Sequence, residues 1–307
     1  MMGSDFIAIN WGSSNFRAFL LDHTGHVQDA FAEPAGIASL DRDGMAAQIE
    51  RLLRRWPVAS TLYACGMVGS NVGWEEAGYA QCPIGVEDLA ANLHPTTIAG
   101  RTMHIVPGLA CRRAGDGAPD IMRGEEVELF GLMRAGRLPR DGVVALPGTH
   151  SKWVRVVEGN VMEFMTAMSG EIFDRLTAAG MLSSIVAAPA SVGDAFTAGV
   201  LSGVEGALGL GTQLFGVRAQ VMRNDLARDD AASYLRGLLI GAEISDARSL
   251  YPLGPDNKVT LVGTPVVCAL YAEALAVLAI PSVTIDAADA TTQGFAALHA
   301  ATGVMQA

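Results

Sequence analysis

Basic charge is what this 307-residue chain has least of: 21 Lys and Arg stand against 32 Asp and Glu, a formal net charge of -11 at pH 7. A nucleic-acid binder needs a basic face for its phosphate contacts, so that class is excluded, although a local cationic pocket for a small anion is not. Cysteine is scarce as well. Cys65, Cys82, Cys111 and Cys268 include no C-x-x-C and no metal-ligand spacing. They read as reduced thiols, which excludes a disulfide scaffold and sets the expectation of a cytoplasmic protein. The six histidines lack an H-x-x-x-H, and His23 and His26 flank Gly25 in an expected turn rather than a metal site. No basic stretch precedes the first strand-like run at Phe6, so no secretory leader is expected. The longest apolar run, Val266 to Ile280, is broken by Glu273 and falls short of the ~20 residues that a membrane span requires. It reads as a buried helix. Low-complexity segments and heptads are absent too.

What is present is apolar bulk. Half the residues are hydrophobic and 17% are charged, enough interior for two domains of ordinary size. Strand-like runs at Phe6–Asn10, Arg17–Asp22 and Val27–Ala32 fit an antiparallel meander. Asp41 to Trp56 reads as a helix, with Met45, Ile49, Leu52 and Leu53 at helical spacing and Pro57 as its stop. A strand at Thr61–Cys65 and another near His104–Val106 follow. Arg112 to Pro119, rich in Gly, Arg and Asp, is the expected crossover between domains. Beyond it the order restarts: a helix at Gly124–Ala135, strands at Val143–Leu146, Ser151–Val157 and Asn160–Met165, then helices at Glu171–Ala179, Val192–Leu201, Thr212–Val221 and Ala231–Leu250. A strand at Val259–Val262, a helix after Pro265, a strand at Val283–Asp286 and a helix from Thr292 complete the pattern.

Two glycine turns carry the chemistry. In the first, Gly12-Ser13-Ser14-Asn15 links an apolar strand ending at Asn10 to a strand beginning near Arg17. In the second, Pro147-Gly148-Thr149-His150 stands before Ser151 and Lys152. Such turns let backbone amides and hydroxyls converge on an anion, because glycine permits close approach. Arg17 can pair with a phosphate or a carboxylate, and Lys152 can neutralise charge on a transferring group. A plain polar hairpin, and a lysine on a solvated strand face, account for the same residues. Between the turns, Met122-Arg123-Gly124-Glu125-Glu126 sits at an expected helix start. Glu125 and Glu126 suit the helix dipole there. They also suit a base or a Mg²⁺ ligand between domains, with Arg123 clamping an anionic substrate and Asp120 as a third carboxylate nearby. Gly66 to Trp74 offers Gly69, Ser70, Asn71 and Trp74 as a polyol-binding rim, or an ordinary connection. Gly263-Thr264 is a strand–helix junction of the kind that packs under a nucleoside.

Together these segments resemble the 2-dehydro-3-deoxygalactonokinase family of the sugar kinase, Hsp70 and actin superfamily. The matching stretches are Asn10–Arg17, Gly66–Trp74, Met122–Glu126 and Pro147–Val154, with weaker matches at Ser169-Gly170-Glu171 and Gly237–Glu243. The resemblance implies an α/β fold of two RNase H-like domains around a cleft: residues 1–117 completed by the helix 292–307, and residues 118–291. It implies ATP and Mg²⁺ as cofactors and transfer of the γ-phosphoryl group to the 6-hydroxyl of 2-dehydro-3-deoxy-D-galactonate. On this reading Gly12, Ser13, Ser14, Asn15, Arg17, Gly148, Thr149, His150, Gly263 and Thr264 hold the nucleotide. Gly69, Ser70, Asn71, Trp74 and Arg123 hold the sugar acid, and Glu125, Glu126 and Lys152 are the catalytic candidates, Glu125 favoured as base. One position departs: the family usually has Asp where this chain has Asn10, which can orient a metal-bound water but brings no charge. The alternatives are a kinase for another keto-deoxy acid, a non-catalytic binder of nucleotide or sugar acid, and an actin-like assembly protein, disfavoured for lack of a filament arm. Base rates alone set a homodimer as the expected assembly.

Overall fold

Alternation of buried side chains along short strands builds two open sheets with the same strand order. The computed structural model describes residues 5–186, 189–206 and 208–305; the ends of the expected domain ranges, 1–4 and 306–307, lie outside them. In the first half β1 (Phe6–Trp11), β2 (Phe16–Leu21) and β3 (Val27–Glu33) form an antiparallel meander, α1 (Arg42–Arg55) crosses over, and β4 (Thr61–Gly66) returns parallel to β1. After β5 (Tyr79–Gln81) and α2 (Val86–Ala91), β6 (His94–Ile98) and β7 (Arg101–Ile105) complete a sheet of order β3-β2-β1-β4-β7-β6. β8 (Gly108–Arg112) and β9 (Pro119–Met122) join β5 in a small third sheet, and α3 (Glu125–Arg134) leads into the second half. There β10 (Gly142–Leu146), β11 (Ser151–Val157) and β12 (Asn160–Ala167) repeat the meander. Four helices follow: α4 (Ser169–Ala178), α5 (Asp194–Glu205), α6 (Leu210–Arg223) and α7 (Ala231–Leu250). β13 (Val259–Gly263), α8 (Pro265–Val277) and β14 (Ser282–Asp286) then give β12-β11-β10-β13-β14, with β13 and β14 parallel to β10. α9 (Ala290–Met305) is the last element.

The period of two places the site. Phe6 and Ala8 of β1, Tyr63 and Cys65 of β4, Val144 and Leu146 of β10, and Val154 and Val156 of β11 share one core between the sheets. Ile7, Ile9 and Trp11 face α1 instead, and Val143, Ala145 and Trp153 face α7 and α8. Continuing each alternation by one step puts Asn10 and Lys152 on the inter-sheet side. Arg17 stands directly across from Asn10 in the β1–β2 pair and shares its side of the sheet. Between the sheets run α3 and α9, which touch backbone to backbone: a Cβ at Gly294 would lie 1.9 Å from the Val127 carbonyl oxygen, and one at Gly131 would lie 2.3 Å from that of Ala290. Only glycine fits either place.

One expectation is corrected. Arg112 to Pro119 is not a crossover but the turn of the β8–β9 hairpin, where Arg113 pairs with Asp116 at 2.7 Å and Asp120 at 3.0 Å. The passage from one half to the other comes later, at Arg123 and Gly124. The elements that sequence periodicity missed (β5, α2, β6, β8 and β9) are short, and β6 contains a proline. They are too short for a periodic pattern to show: β6–β7 and β8–β9 are small hairpins, and β5 is fixed by pairing with β8. Among the described residues no helix is long and apolar enough to cross a membrane.

Candidate active site

The first turn is closed by the Gly12 amide donating to the Asn15 carbonyl at 3.0 Å. Its outer wall is braced by Ile37 and Ala38, whose amides donate to the carbonyls of Gly12 and Ser13, each at 3.0 Å. Among the described residues the amides of Ser13, Ser14 and Asn15 have no acceptor, and all three residues are exposed. Asn10, Gly12, Ser13, Ser14, Asn15 and Arg17 line a pocket of about 270 Å³ there. Free amides, hydroxyls and a guanidinium around one hollow form an anion cradle. A larger cavity, about 560 Å³, lies at the other end of the second sheet among Gly142, Pro252, Lys258 and Val283, away from both turns.

The second turn is held differently. The Glu171 amide at the start of α4 donates to the Thr149 carbonyl at 3.0 Å, and a Cβ at Gly170 would stand 2.2 Å from the Gly148 carbonyl oxygen. His150 pairs with Glu171 at 2.7 Å, which holds the Glu171 carboxyl below its ordinary range. Thr149 and His150 are exposed, and among the described residues their amides have no acceptor. A Cβ at Gly263 would be 3.4 Å from the Pro147 carbonyl oxygen, so the Gly263-Thr264 junction abuts this turn.

The two halves meet at the N-terminus of α3. Gly124 backs onto Gly66 at the end of β4, where a Cβ would lie 3.7 Å from the Gly66 Cα. Glu125 and Glu126 both fold back on the helix start: Glu125 Oε2 accepts from the Arg123 amide at 3.1 Å and Glu126 Oε2 from the Gly124 amide at 2.6 Å. Their other oxygens differ. Glu125 Oε1 reaches the Lys152 Nζ at 3.5 Å, and this carboxylate keeps 31% of its side-chain exposure. Lys152 is buried, 5% exposed, and also donates to the His150 carbonyl at 3.2 Å. Glu126 is fully buried with Oε1 unpartnered among the described residues, and burial, with Glu125 adding repulsion, pushes its carboxyl up to about 8. Glu128, one turn on, is also raised by burial; Arg17 offsets part of that shift. Asp120 has its oxygens engaged: it accepts from Arg113 and from the amide and hydroxyl of Thr166, the last two at 2.7 Å, and Thr166 is the cross-strand partner of Lys152.

The rim residues separate. Ser70 donates to the Met67 carbonyl at 2.7 Å and so braces its own loop, whereas Asn71 is exposed. Trp74 lies under the Arg42 guanidinium, 3.9 Å from its ring centroid. Arg123 stacks over Tyr79 at 4.5 Å and donates to the Gly78 carbonyl at 2.8 Å, with its Nη1 2.9 Å from where a Cβ of Gly69 would stand. Its Nε and Nη1 are buried without acceptors among the described residues. Sequence reasoning attached no chemistry to Glu243, a buried carboxylate behind the second turn that accepts from Trp153 Nε1 at 2.7 Å, from Tyr271 Oη at 2.9 Å and from Ser169 Oγ. An acidic residue inside the apolar run Leu238–Ile244 was its one signal.

Two like-ordered sheets, a glycine turn on each and helices between them make the two-lobed fold of the actin-like ATPase class. The structure of the activator of 2-hydroxyisocaproyl-CoA dehydratase from Clostridium difficile, with bound ADPNP, shares that fold at 10% identity and a TM-score of 0.50. Within the class, the chain belongs to the family described as 2-keto-3-deoxy-galactonokinase, whose profile matches residues 10–298. It is 34% identical over 298 residues to the probable 2-dehydro-3-deoxygalactonokinase DgoK1 of Rhizobium meliloti (strain 1021), covering 95% of each chain. It is 34% identical over 274 residues to the 2-dehydro-3-deoxygalactonokinase of Escherichia coli (strain K12), covering 89% of this chain and 90% of that one. The crystal structure of a protein assigned as a 2-dehydro-3-deoxygalactonokinase from Sinorhizobium meliloti superposes with a TM-score of 0.86 at 33% identity, covering 98% and 99% of the two chains.

Proposed function

We propose that this protein transfers the γ-phosphoryl group of ATP to the 6-hydroxyl of 2-dehydro-3-deoxy-D-galactonate, in the cytoplasmic breakdown of galactonate. The observation that carries the reading is the Glu125–Lys152 pair, set between two turns whose amides are free to bind phosphate. Glu125 is the base: it is exposed enough to meet a substrate hydroxyl, whereas Glu126 is sealed and already neutral at pH 7. Lys152 answers the charge that grows on the transferring group, and it costs little reorganisation because it is already buried and held. Ser13, Ser14, Asn15 and Arg17 take phosphate oxygens from one side, Gly148, Thr149 and His150 from the other, and Gly263 and Thr264 lie under the nucleoside. Arg123, Gly69 and Asn71 form the sugar-acid side, with Ser70 bracing the loop and Trp74 held under Arg42.

Mg²⁺ fits this site in one way. No group of three His, Cys, Asp or Glu stands ready for a metal among the described residues, and Asn10 offers a neutral amide with no hydrogen bond to other side chains there. That donor set suits an ion carried by the nucleotide phosphates and water, with Asn10 orienting one water. Such an ion would screen phosphate charge during transfer.

The boundary expected at 117/118 falls inside the β8–β9 hairpin, so on this reading the lobes divide at Arg123–Gly124, with α9 joined to the first: His299 of α9 stacks on Phe6 at 4.2 Å and bonds Tyr63 at 3.1 Å. An ADP-release assay across keto-deoxy sugar acids tests the reading. Fastest turnover on 2-dehydro-3-deoxy-D-galactonate is expected. Preference for another acid would reassign the substrate, and no turnover with ATP still bound would leave a non-catalytic binder.

A further inference from the structure

Behind the second turn lies a line of hydrogen-bonded side chains. Glu243 of α7 is 3% exposed, yet it takes hydrogen bonds from three elements: Trp153 of β11, Ser169 at the start of α4 and Tyr271 of α8. Because Tyr271 donates to Glu243, its oxygen is left to accept from Ser151 Oγ at 2.8 Å. Ser151 Oγ also lies 3.4 Å from the Gly148 carbonyl; with its proton taken by the nearer Tyr271 oxygen, it accepts from the Gly148 amide at 3.3 Å. Donation therefore runs one way, from Gly148 through Ser151 and Tyr271 to Glu243. Each link polarises the next, and a carboxylate at the end sets the direction. Burial pushes the Glu243 carboxyl up, while the hydrogen bonds from Ser169, Trp153 and Tyr271 and the nearby Arg236, 8% exposed, favour its charged form; Arg236 also donates to the Ser169 carbonyl at 3.5 Å.

We propose that Glu243 is a positioning residue for ATP binding: through Tyr271 and Ser151 it fixes the Gly148 amide inward, and through Ser169 it fixes the α4 start against the turn. This leaves Thr149 and His150 as the turn's outward donors. A buried carboxylate whose neighbours all donate is kept for geometry, since an apolar residue would fill the same volume without a desolvation cost. The inference rests on the kinase reading above for the identity of the nucleotide.

Tyr271→Phe removes one oxygen and breaks the line between Glu243 and Ser151. The expected result is an ATP KM, and a calorimetric ATP Kd, raised roughly fivefold, as for loss of one hydrogen bond. The sugar-acid KM should stay within about twofold, and the melting temperature within a few degrees. Ser151→Ala should reproduce the effect, and the double variant should be no worse than either single one, since both cut one chain. Glu243→Gln should retain more ATP affinity than Glu243→Ala. Unchanged ATP affinity in folded Tyr271→Phe and Ser151→Ala proteins, or both KM values rising together in step with lost thermal stability, would overturn the proposal. A wild type that binds ATP but phosphorylates no sugar acid would sink the kinase reading alone, because the calorimetric comparison would still stand. A wild type that binds no ATP would end both.

Discussion

The two glycine turns occupy like positions in like sheets, but they are held by different means. The first is braced almost wholly by backbone: one bond across the turn and two from the 37–38 segment, with an exposed Arg17 and an uncharged Asn10 beside it. The second has one backbone bond, from the Glu171 amide to the Thr149 carbonyl, and is otherwise braced by side chains from β11, α4, α7 and α8; its cation is the buried Lys152. A buried, prepositioned charge acts more strongly than one in water, where screening takes most of its effect. On the proposed reading, the second turn is therefore the place for charge stabilisation of the reaction. The first turn is the place for shape and donor count.

Substitutions can break that contrast. The largest effect is expected between the turns: Glu125→Gln should lower kcat about a hundredfold or more with the ATP KM changed only a few-fold, as for loss of a general base. A near-normal kcat would remove Glu125 from that role. Next come the two cations. Lys152→Met should cost kcat about thirtyfold to a hundredfold, while Arg17→Ala should raise the ATP KM by roughly tenfold and spare kcat. Equal losses in kcat from the two changes would show that burial does not distinguish the turns.

Much of the fold is legible in the sequence. The two meanders, α7 at Ala231–Leu250 and the helix after Pro265 follow from periodicity and stop signals, because their buried faces repeat over enough residues to outweigh noise. The two segments are legible as turns because glycine and hydroxyl residues between apolar strands mark hairpins; what they bind is not legible, since a plain polar hairpin looks the same. The choice between Glu125 and Glu126 was not: adjacent carboxylates on a helix start look alike in sequence, and only the third dimension seals one and points the other at Lys152. Ser70 is a similar case, its hydroxyl spent on Met67. Arg112–Pro119 misled because glycine with charge marks any turn, whether it joins lobes or strands of one hairpin.

The first turn can be pushed toward the usual pattern of its family. Asn10→Asp places a carboxylate across from Arg17 on the inter-sheet face, so Mg²⁺ affinity at the site should rise. The Mg²⁺ concentration for half-maximal turnover is expected to drop several-fold. An unchanged requirement would mean that Asn10 does not address the ion.

The smallest effect on turnover is expected at Glu126. It is neutral at pH 7, so Glu126→Gln should leave kcat within about threefold. Its consequence is for stability. In the unfolded chain this carboxyl ionises near its ordinary value of 4.5, whereas in the folded protein it holds its proton up to about 8. Between those values the folded state binds more protons than the unfolded one, so stability is full below about 4.5 and falls as pH rises through 8. Denaturant unfolding should show wild type losing on the order of 3 kcal/mol from this group between pH 5 and pH 9. The Gln variant should lose less over the same interval, since its amide cannot ionise. Parallel curves for the two proteins would mean that the Glu126 carboxyl is charged in its buried place, and Glu125 would no longer be distinguished from it by ionisation.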